Sequence, residues 1–454
     1  MKMNTSSQIH SAPSLAGRAG GESSLFTFIY IAGTAMALAF TMVMAVVYYI
    51  KLAPIYPEVN RGRTVYFDGI RVVAENVGMM QQGFNERAFE DWFMNSPNLE
   101  LCAPTMLAGG TGKVNQRARQ FVHKGHGEYM EVVINQTNAD FFKIYEYDFL
   151  SGQPFTAQDV EAHEHICVIS NNLAERLFGK EADPLGQLIA LERGMELRVI
   201  GVIRGASQLT PDSYADVFVP YTLWDTRMGD IPYSGQYAIV ATVKNDEQLR
   251  ALKQEMDEVA VRFSKYLEGV VSFGEGVKTH VELTHGLETH PMHALRTENR
   301  HFIEDISNWQ IIKHYASLLF VLLFVPALNL CAIVAGRMER RAPEMAVRKT
   351  FGARRSTLLW QVVHENLVMT CIGGIIGLVL AWLAIYGFRL EILGMFFDHS
   401  TLGSAPIVSG EMLFAPALFV GAFAAILLMN LLAAVVPAWW SLRKPIVESM
   451  MEKQ

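Results

Sequence analysis

Four stretches of this chain are too long and too apolar for the core of an ordinary soluble domain. They run from Leu25 to Ile50, Tyr315 to Ala335, Leu367 to Phe388 and Met412 to Val436, and none contains Asp, Glu, Lys or Arg. Crossing the hydrocarbon of a bilayer takes ~20 apolar residues of helix, so each is expected to span a membrane. The first is expected to remain as an anchor. Its apolar core exceeds the roughly 7–15 residues of a signal peptide's h-region, and no small-residue cleavage site precedes Lys51.

Orientation follows from the basic residues. Arg337 to Arg355, between the second and third runs, holds seven Arg or Lys side chains, whereas the loop from Glu391 to Glu411 has none. Lys and Arg are retained on the cytoplasmic side. The expected layout is a cytoplasmic segment over 1–24, a span over 25–50, an extracytoplasmic domain over 51–313 and a span over 314–336. A cytoplasmic loop over 337–361, a span over 362–390, a short outer loop over 391–411, a span over 412–437 and a cytoplasmic tail over 438–454 complete it. The expected fold class is an α-helical integral membrane protein with four transmembrane helices and a large α+β extracytoplasmic domain between helices 1 and 2.

The outer region reads as mixed α and β. Val65 to Phe67, Val132 to Ile134, Ile166 to Ile169, Leu197 to Ile203 and Val217 to Val219 are short β-branched or alternating runs. Asn171 to Phe178 has helical spacing with Gly179 as its stop, and Leu249, Leu252, Met256, Val259 and Phe263 recur at three- and four-residue steps across Asp246 to Leu267.

Composition excludes more than it assigns. The 45 acidic and 38 basic residues segregate by compartment, with the basic ones on the cytoplasmic edge, so nucleic acid is not an expected partner. Cys102 and Cys167 are both external and open to pairing in an oxidising compartment. The histidines at 123, 126, 163, 165, 285, 290 and 293 lack a His-Glu-x-x-His helix or a cysteine cluster. They are read as surface residues, and no metal site is expected. Gly109-Gly-Thr-Gly-Lys113 is no phosphate loop, because Leu107 and Val114 stand where a Walker A motif needs Gly and Ser or Thr. No catalytic triad or carboxylate pair can be assembled. The absence of charge within the spans argues against ion-coupled transport.

The basic loop carries helix punctuation. Pro343 suits a first helical turn. Glu344 complements the helix start, Arg348 and Lys349 its end, and Gly352 a left-handed cap. The spacing predicts about three turns, roughly 15 Å long, with Val347 and Phe351 as an apolar stripe. A helix resting on anionic lipid accounts for these features equally well. In the third span Gly373-Gly-Ile-Ile-Gly377 is a small-xxx-small pattern that admits close helix packing. Trp439 and Trp440, followed by Arg443 and Lys444, mark a helix leaving the bilayer.

Several of these segments together resemble the FtsX/MacB-type ABC transporter permeases. Glu339 to Arg355, ERRAPEMAVRKTFGARR, is similar to the family's cytoplasmic signature, and GGIIGLVLAW and VPAWWSLRKPIVESM resemble its third span and terminal tail. NADFFKIYEYDFLSGQPF, CVISNNLAERLFGKEADPLGQLI and LRVIGVIRG resemble the family's MacB-type periplasmic core domain. Two segments depart from the pattern: Met1 to Ser24 lacks the Arg-rich start frequent in relatives, and Leu267 to Asn308 carries no recognisable motif.

The resemblance implies a non-catalytic permease subunit of the inner membrane, dimeric with itself or a related permease and surrounded by lipid. A cytoplasmic ABC ATPase would bind ATP and Mg in its place, this chain binding no cofactor. Contact with the ATPase would run through Arg340, Arg341, Glu344, Met345, Arg348, Lys349, Phe351 and Gly352, and helix packing through Gly373, Gly374 and Gly377. The implied action is mechanotransmission, in which ATP-driven movement reaches the outer domain for export or extraction of an envelope substrate such as a peptide, lipoprotein or drug. A periplasmic adaptor or an envelope enzyme is a further implied partner. The alternative is an FtsX-like regulator or sensor that controls an envelope enzyme without transport.

Overall fold

The computed structural model describes residues 15–75, 78–106, 119–123, 129–191, 194–224, 231–270, 277–296, 355–396, 408–413 and 416–443, with individual positions between 309 and 354. They fall into two compact units, one of residues 1–46, 313–387 and 415–454, the other of residues 47–312 and 388–414.

In the first unit, helix α1 (Leu15–Leu52) supplies its part up to Val46. Three stretches of described helix are long and apolar enough to cross a membrane: Thr27–Leu52, Arg355–Gly387 and Phe419–Trp440. The expected second span lies largely outside the described residues, as does Gly109 to Lys113. Glycines set how closely the spans approach. A methyl on Gly377 would stand 2.6 Å from the Ala35 carbonyl oxygen and 2.9 Å from Leu38 Cβ; one on Gly373 would stand 3.0 Å from Thr34 Cβ, and one on Gly374 2.3 Å from a Phe423 ring carbon. The small-residue face therefore lies against α1 and Phe423 of the same chain. Tyr30 and Thr370 hydrogen-bond across this packing at 3.1 Å, while Phe28, Phe40, Ile375 and Val379 remain uncovered, as suits contact with lipid tails.

The second unit is built on three sheets. One contains, in order, β15 (Glu288–Thr289), β1 (Thr64–Phe67), β13 (Ala238–Thr242) and β4 (Leu101–Thr105), all antiparallel. A second is β12 (Ser234–Gly235), β3 (Gly78–Phe84), β2 (Ile70–Ala74) and β14 (Thr279–Leu283). The largest runs β7 (Phe149–Gly152), β10 (Glu196–Ile203), β8 (Ile166–Ser170), β11 (Val217–Pro220), β6 (Met130–Thr137), β5 (Arg119–His123) and β9 (Leu188–Leu191). Because β9 pairs with both β5 and β10, this sheet closes on itself, and closure removes the exposed edges of its ring.

Strand alternation divides the core in two. On β8, Cys167 and Ile169 enter a cluster with Val132, Ile134, Val217 and Val219, while Ile166 and Val168 face the other way. Phe218, on β11, joins Phe141, Phe142 and Tyr147 in the larger, aromatic cluster. The expected strand runs all fall within strands. Helix α2 (Asn171–Phe178) is capped by the Ser170 hydroxyl, which accepts from the Leu173 N–H at 3.2 Å, and ends at Gly179 with φ +88°. Helix α3 (Asp246–Val270) sends Leu252, Met256, Val259, Phe263 and Leu267 into the aromatic core.

One question left open by the sequence is answered here and one expectation is corrected. Cys102 and Cys167 are free, buried thiols on strands of different sheets; burial pushes the Cys102 thiol up to about 12. His290 and His293 are core residues, 2% and 3% exposed, because the helix α4 (His290–Arg296) that carries them follows directly on β15.

Candidate functional site

The last carbonyls of any helix lack intrahelical donors and carry the negative end of the helix dipole. At the end of α1 these needs are met from the second unit's own interior. Arg61 Nη1 donates to the Ile50 carbonyl at 2.7 Å and to the Ala53 carbonyl. Its Nε and Nη2 bind Glu58 Oε2 at 2.9 and 2.8 Å. The other oxygen of Glu58 accepts from the Ser213 hydroxyl at 2.7 Å, and the Tyr147 hydroxyl donates to the Ser213 carbonyl. Burial raises the Glu58 carboxyl above its ordinary value, with Arg61 and the Ser213 hydroxyl opposing that rise.

His290 completes the clamp. Its Nε2 lies 2.9 Å from the Lys51 carbonyl, which only accepts, so that nitrogen carries the proton. Nδ1 then accepts from the Tyr66 hydroxyl at 3.0 Å. The ring is neutral: burial, with Arg61 nearby, lowers it to about 3.

One helical turn on, His293 has a different environment. Nε2 lies 3.1 Å from Asp212 Oδ1; Nδ1 lies 3.3 Å from Glu288 Oε2 and 3.9 Å from Asp68 Oδ1. Burial works against the charged ring, but Asp212, Glu288 and Asp68 outweigh it and raise His293 to about 10. Asp212, though buried, is held below its usual value by His293 and Arg61. The Tyr66 ring stacks on the His293 ring at 4.1 Å. Register makes this possible, since Tyr66 pairs with Glu288 across β1 and β15 and the two histidines stand three residues apart on one helical face.

The expected cytoplasmic contact is described only in part. Arg340, Arg341, Glu344, Met345 and Lys349 lie outside the described residues. Val347, Arg348 and Thr350 are helical, and Gly352 has φ +90°. The Ala353 N–H reaches back to the Arg348 carbonyl at 3.0 Å, a Schellman-type closure that requires a left-handed residue at the glycine position. Phe351, just before the cap, is 87% exposed. Arg348 donates to Gln361 at 2.9 Å, drawing the cap toward the start of helix α5 (Arg355–Gly387).

None of Glu58, Arg61, Asp68, Asp212 or Glu288 stands out in the sequence. The only local signals are Glu58 and Arg61 three residues apart just after a span, and the same spacing of His290 and His293.

Residues 27–259 match the MacB-like periplasmic core domain and residues 316–446 the FtsX-like permease C-terminal domain. The chain belongs to the FtsX/MacB-like family of ABC transporter permeases, membrane proteins with a large periplasmic domain. It is 26% identical over 268 residues to the pyoverdine export ATP-binding/permease protein PvdT of Pseudomonas fluorescens, covering 58% of this chain and 36% of that one. It is 26% identical over 347 residues to the macrolide export ATP-binding/permease protein MacB of Agrobacterium fabrum, covering 76% and 45%. Against the uncharacterized ABC transporter permease YknZ of Bacillus subtilis, identity is 22% over 253 residues, covering 56% and 57%. The chain thus spans about half or less of these relatives' length. The crystal structure of the periplasmic region of MacB from Actinobacillus actinomycetemcomitans aligns with a TM-score of 0.33 at 13% identity, covering 49% of this chain and 88% of that one.

Proposed function

We propose that the chain is the four-span permease subunit of an ABC transporter and works by mechanotransmission. In this reading a separate cytoplasmic ATPase moves the turn around Arg348 to Gly352, and the movement passes through the spans to the outer domain. The observation that carries it is the clamp on α1: the Ile50, Lys51 and Ala53 carbonyls are held by Arg61 and His290, themselves fixed in the buried core. A helix terminus bonded in this way transmits displacement to the domain instead of fraying. The exposed Phe351 beside a fixed cap supplies an apolar anchor for the ATPase. Movement becomes work only if the two states differ in their contacts with the nucleotide-loaded partner. The named relatives export pyoverdine or macrolides, which favours an export role over regulation of an envelope enzyme.

The test is reconstitution of the chain with its ATPase. Gly352→Val forces a β-branched residue into the left-handed region and Glu344→Lys reverses a charge at the helix start. Both are expected to abolish permease-stimulated ATPase activity while leaving membrane insertion unchanged. Wild-type ATPase binding and turnover in both variants overturns the coupling role.

A further inference from the structure

The second unit holds two buried groups of one histidine and two carboxylates: Glu58, Asp212 and His290, and Asp68, Glu288 and His293. The first has no free imidazole lone pair, because His290 Nε2 donates to the Lys51 carbonyl and Nδ1 accepts from Tyr66. The second differs. His293 turns Nδ1 toward Glu288 Oε2 and Asp68 Oδ1, at 3.3 and 3.9 Å, and the three donor atoms lie within 4.8 Å of one another. Neighbouring ligands around a tetrahedral ion with bonds of ~2.0–2.2 Å are about 3.3–3.6 Å apart, so a contraction of at most about 1.5 Å brings these donors to three of the four corners.

We propose that His293 Nδ1, Asp68 and Glu288 bind a zinc ion as its three protein ligands, with water in the fourth position. Asp212 is the positioning residue: its Oδ1 accepts from the Nε2 side of His293 at 3.1 Å, the carboxylate–histidine–metal arrangement that fixes the ring and presents the opposite nitrogen to the ion. The stacked Tyr66 ring holds the imidazole plane from the side. Charge favours a divalent ion over a proton. Asp68, Asp212 and Glu288 bring three negative charges to a buried place; an imidazolium leaves two uncompensated, whereas zinc with a neutral imidazole leaves one. One imidazole nitrogen with two carboxylates suits a borderline ion such as zinc, while calcium demands six to eight oxygens. With every ligand buried, the ion enters as the domain folds. The site is independent of any coupling to an ATPase.

The test uses the full chain without a histidine tag, expressed with added zinc, purified in detergent and analysed by elemental mass spectrometry. Zinc at one per chain is expected, surviving gel filtration with a weak chelator. Asp68→Asn, Glu288→Gln and His293→Gln are expected to reduce it to background, and Asp212→Asn to weaken binding ~10–100-fold. Should a variant misfold, zinc-edge X-ray absorption of the wild type reads the same site, with one nitrogen and the rest oxygen expected. A folded wild type without zinc, zinc retained unchanged in Glu288→Gln and His293→Gln, or calcium or magnesium in its place overturns the assignment.

Discussion

Arg61→Met is the sharpest perturbation of the clamp, because it removes one guanidinium while keeping much of its volume. The side chain is almost wholly buried and serves three acceptors: the Ile50 carbonyl, the Ala53 carbonyl and Glu58. Two effects combine in one loss. Glu58, 1% exposed, keeps only the Ser213 hydroxyl among its close partners, and breaking a buried pair by removing one member costs about 3–5 kcal/mol. Within that total, the orphaned carbonyls account for about 1–3 kcal/mol. For a domain of this size each kcal/mol moves Tm by roughly 2–4 °C, so a drop of about 6–20 °C is expected in thermal unfolding of the detergent-solubilised chain. The double variant Glu58→Gln/Arg61→Met no longer strands the Glu58 charge. It should therefore be more stable than Arg61→Met alone by about 2 kcal/mol, a non-additivity expected only of groups in contact. Limited trypsin digestion gives a local reading: Lys51, 6% exposed in the intact clamp, should become a cleavage site in the single variant. A Tm within about 2 °C of wild type, or a double variant no more stable than the single, refutes the account of the clamp.

Tyr66→Phe keeps the stack on His293 but strands the buried Nδ1 of His290; a loss of about 1–3 kcal/mol is expected in denaturant unfolding, and an unchanged midpoint would show that the bond contributes nothing. Gly377→Ala drives a methyl to 2.6 Å from the Ala35 carbonyl; a cost of about 1–3 kcal/mol is expected, read as a lower aggregation temperature in detergent. Gly421→Ala, where a methyl meets nothing within 4 Å, is the neutral control, and equal behaviour of the two variants would refute close packing at Gly377. Cys102 and Cys167 should resist maleimide in the folded protein and react fully after denaturation, because both thiols are buried and burial disfavours their thiolates. Recovery of a Cys102–Cys167 cross-linked peptide from unreduced protein would refute that reading.

Much of the architecture was legible because it rests on local periodicity. The alternation in Ile166 to Ile169, the Ser170 cap and the Gly179 stop are short-range signals, and each lies in the predicted element. Gly352 was equally readable, since a glycine after a helical run has few other uses. The clamp was not. His290 and His293 looked like surface histidines because nothing nearby in the sequence tells a solvated helical face from a buried one. Their burial depends on β15 pairing with β1, a contact between distant parts of the chain. Glu58 and Arg61 were hidden by position, for charged residues just beyond a span ordinarily face water and headgroups.

The matched MacB-like segment ends at residue 259, yet Glu288, His290 and His293 lie beyond it and close onto Glu58, Arg61, Asp68 and Asp212 within it. The clamp and its neighbouring cluster therefore join residues inside the matched segment to residues outside it. Their ionic character has a physical reason. An apolar plug would bury comparable surface and lend at least as much stability, since buried ion pairs are weak stabilisers. No apolar side chain, however, can donate to the Ile50, Lys51 and Ala53 carbonyls, and carbonyls left dry and unpaired cost more than the plug gains. Donors are needed at the helix end, a guanidinium among them needs a carboxylate, and each further buried charge calls for another. The chain from Arg61 to Glu58 and Ser213, and from His290 through Tyr66 to His293 and its carboxylates, follows from that first requirement. Displacing the end of α1 from these partners therefore requires breaking several buried bonds at once.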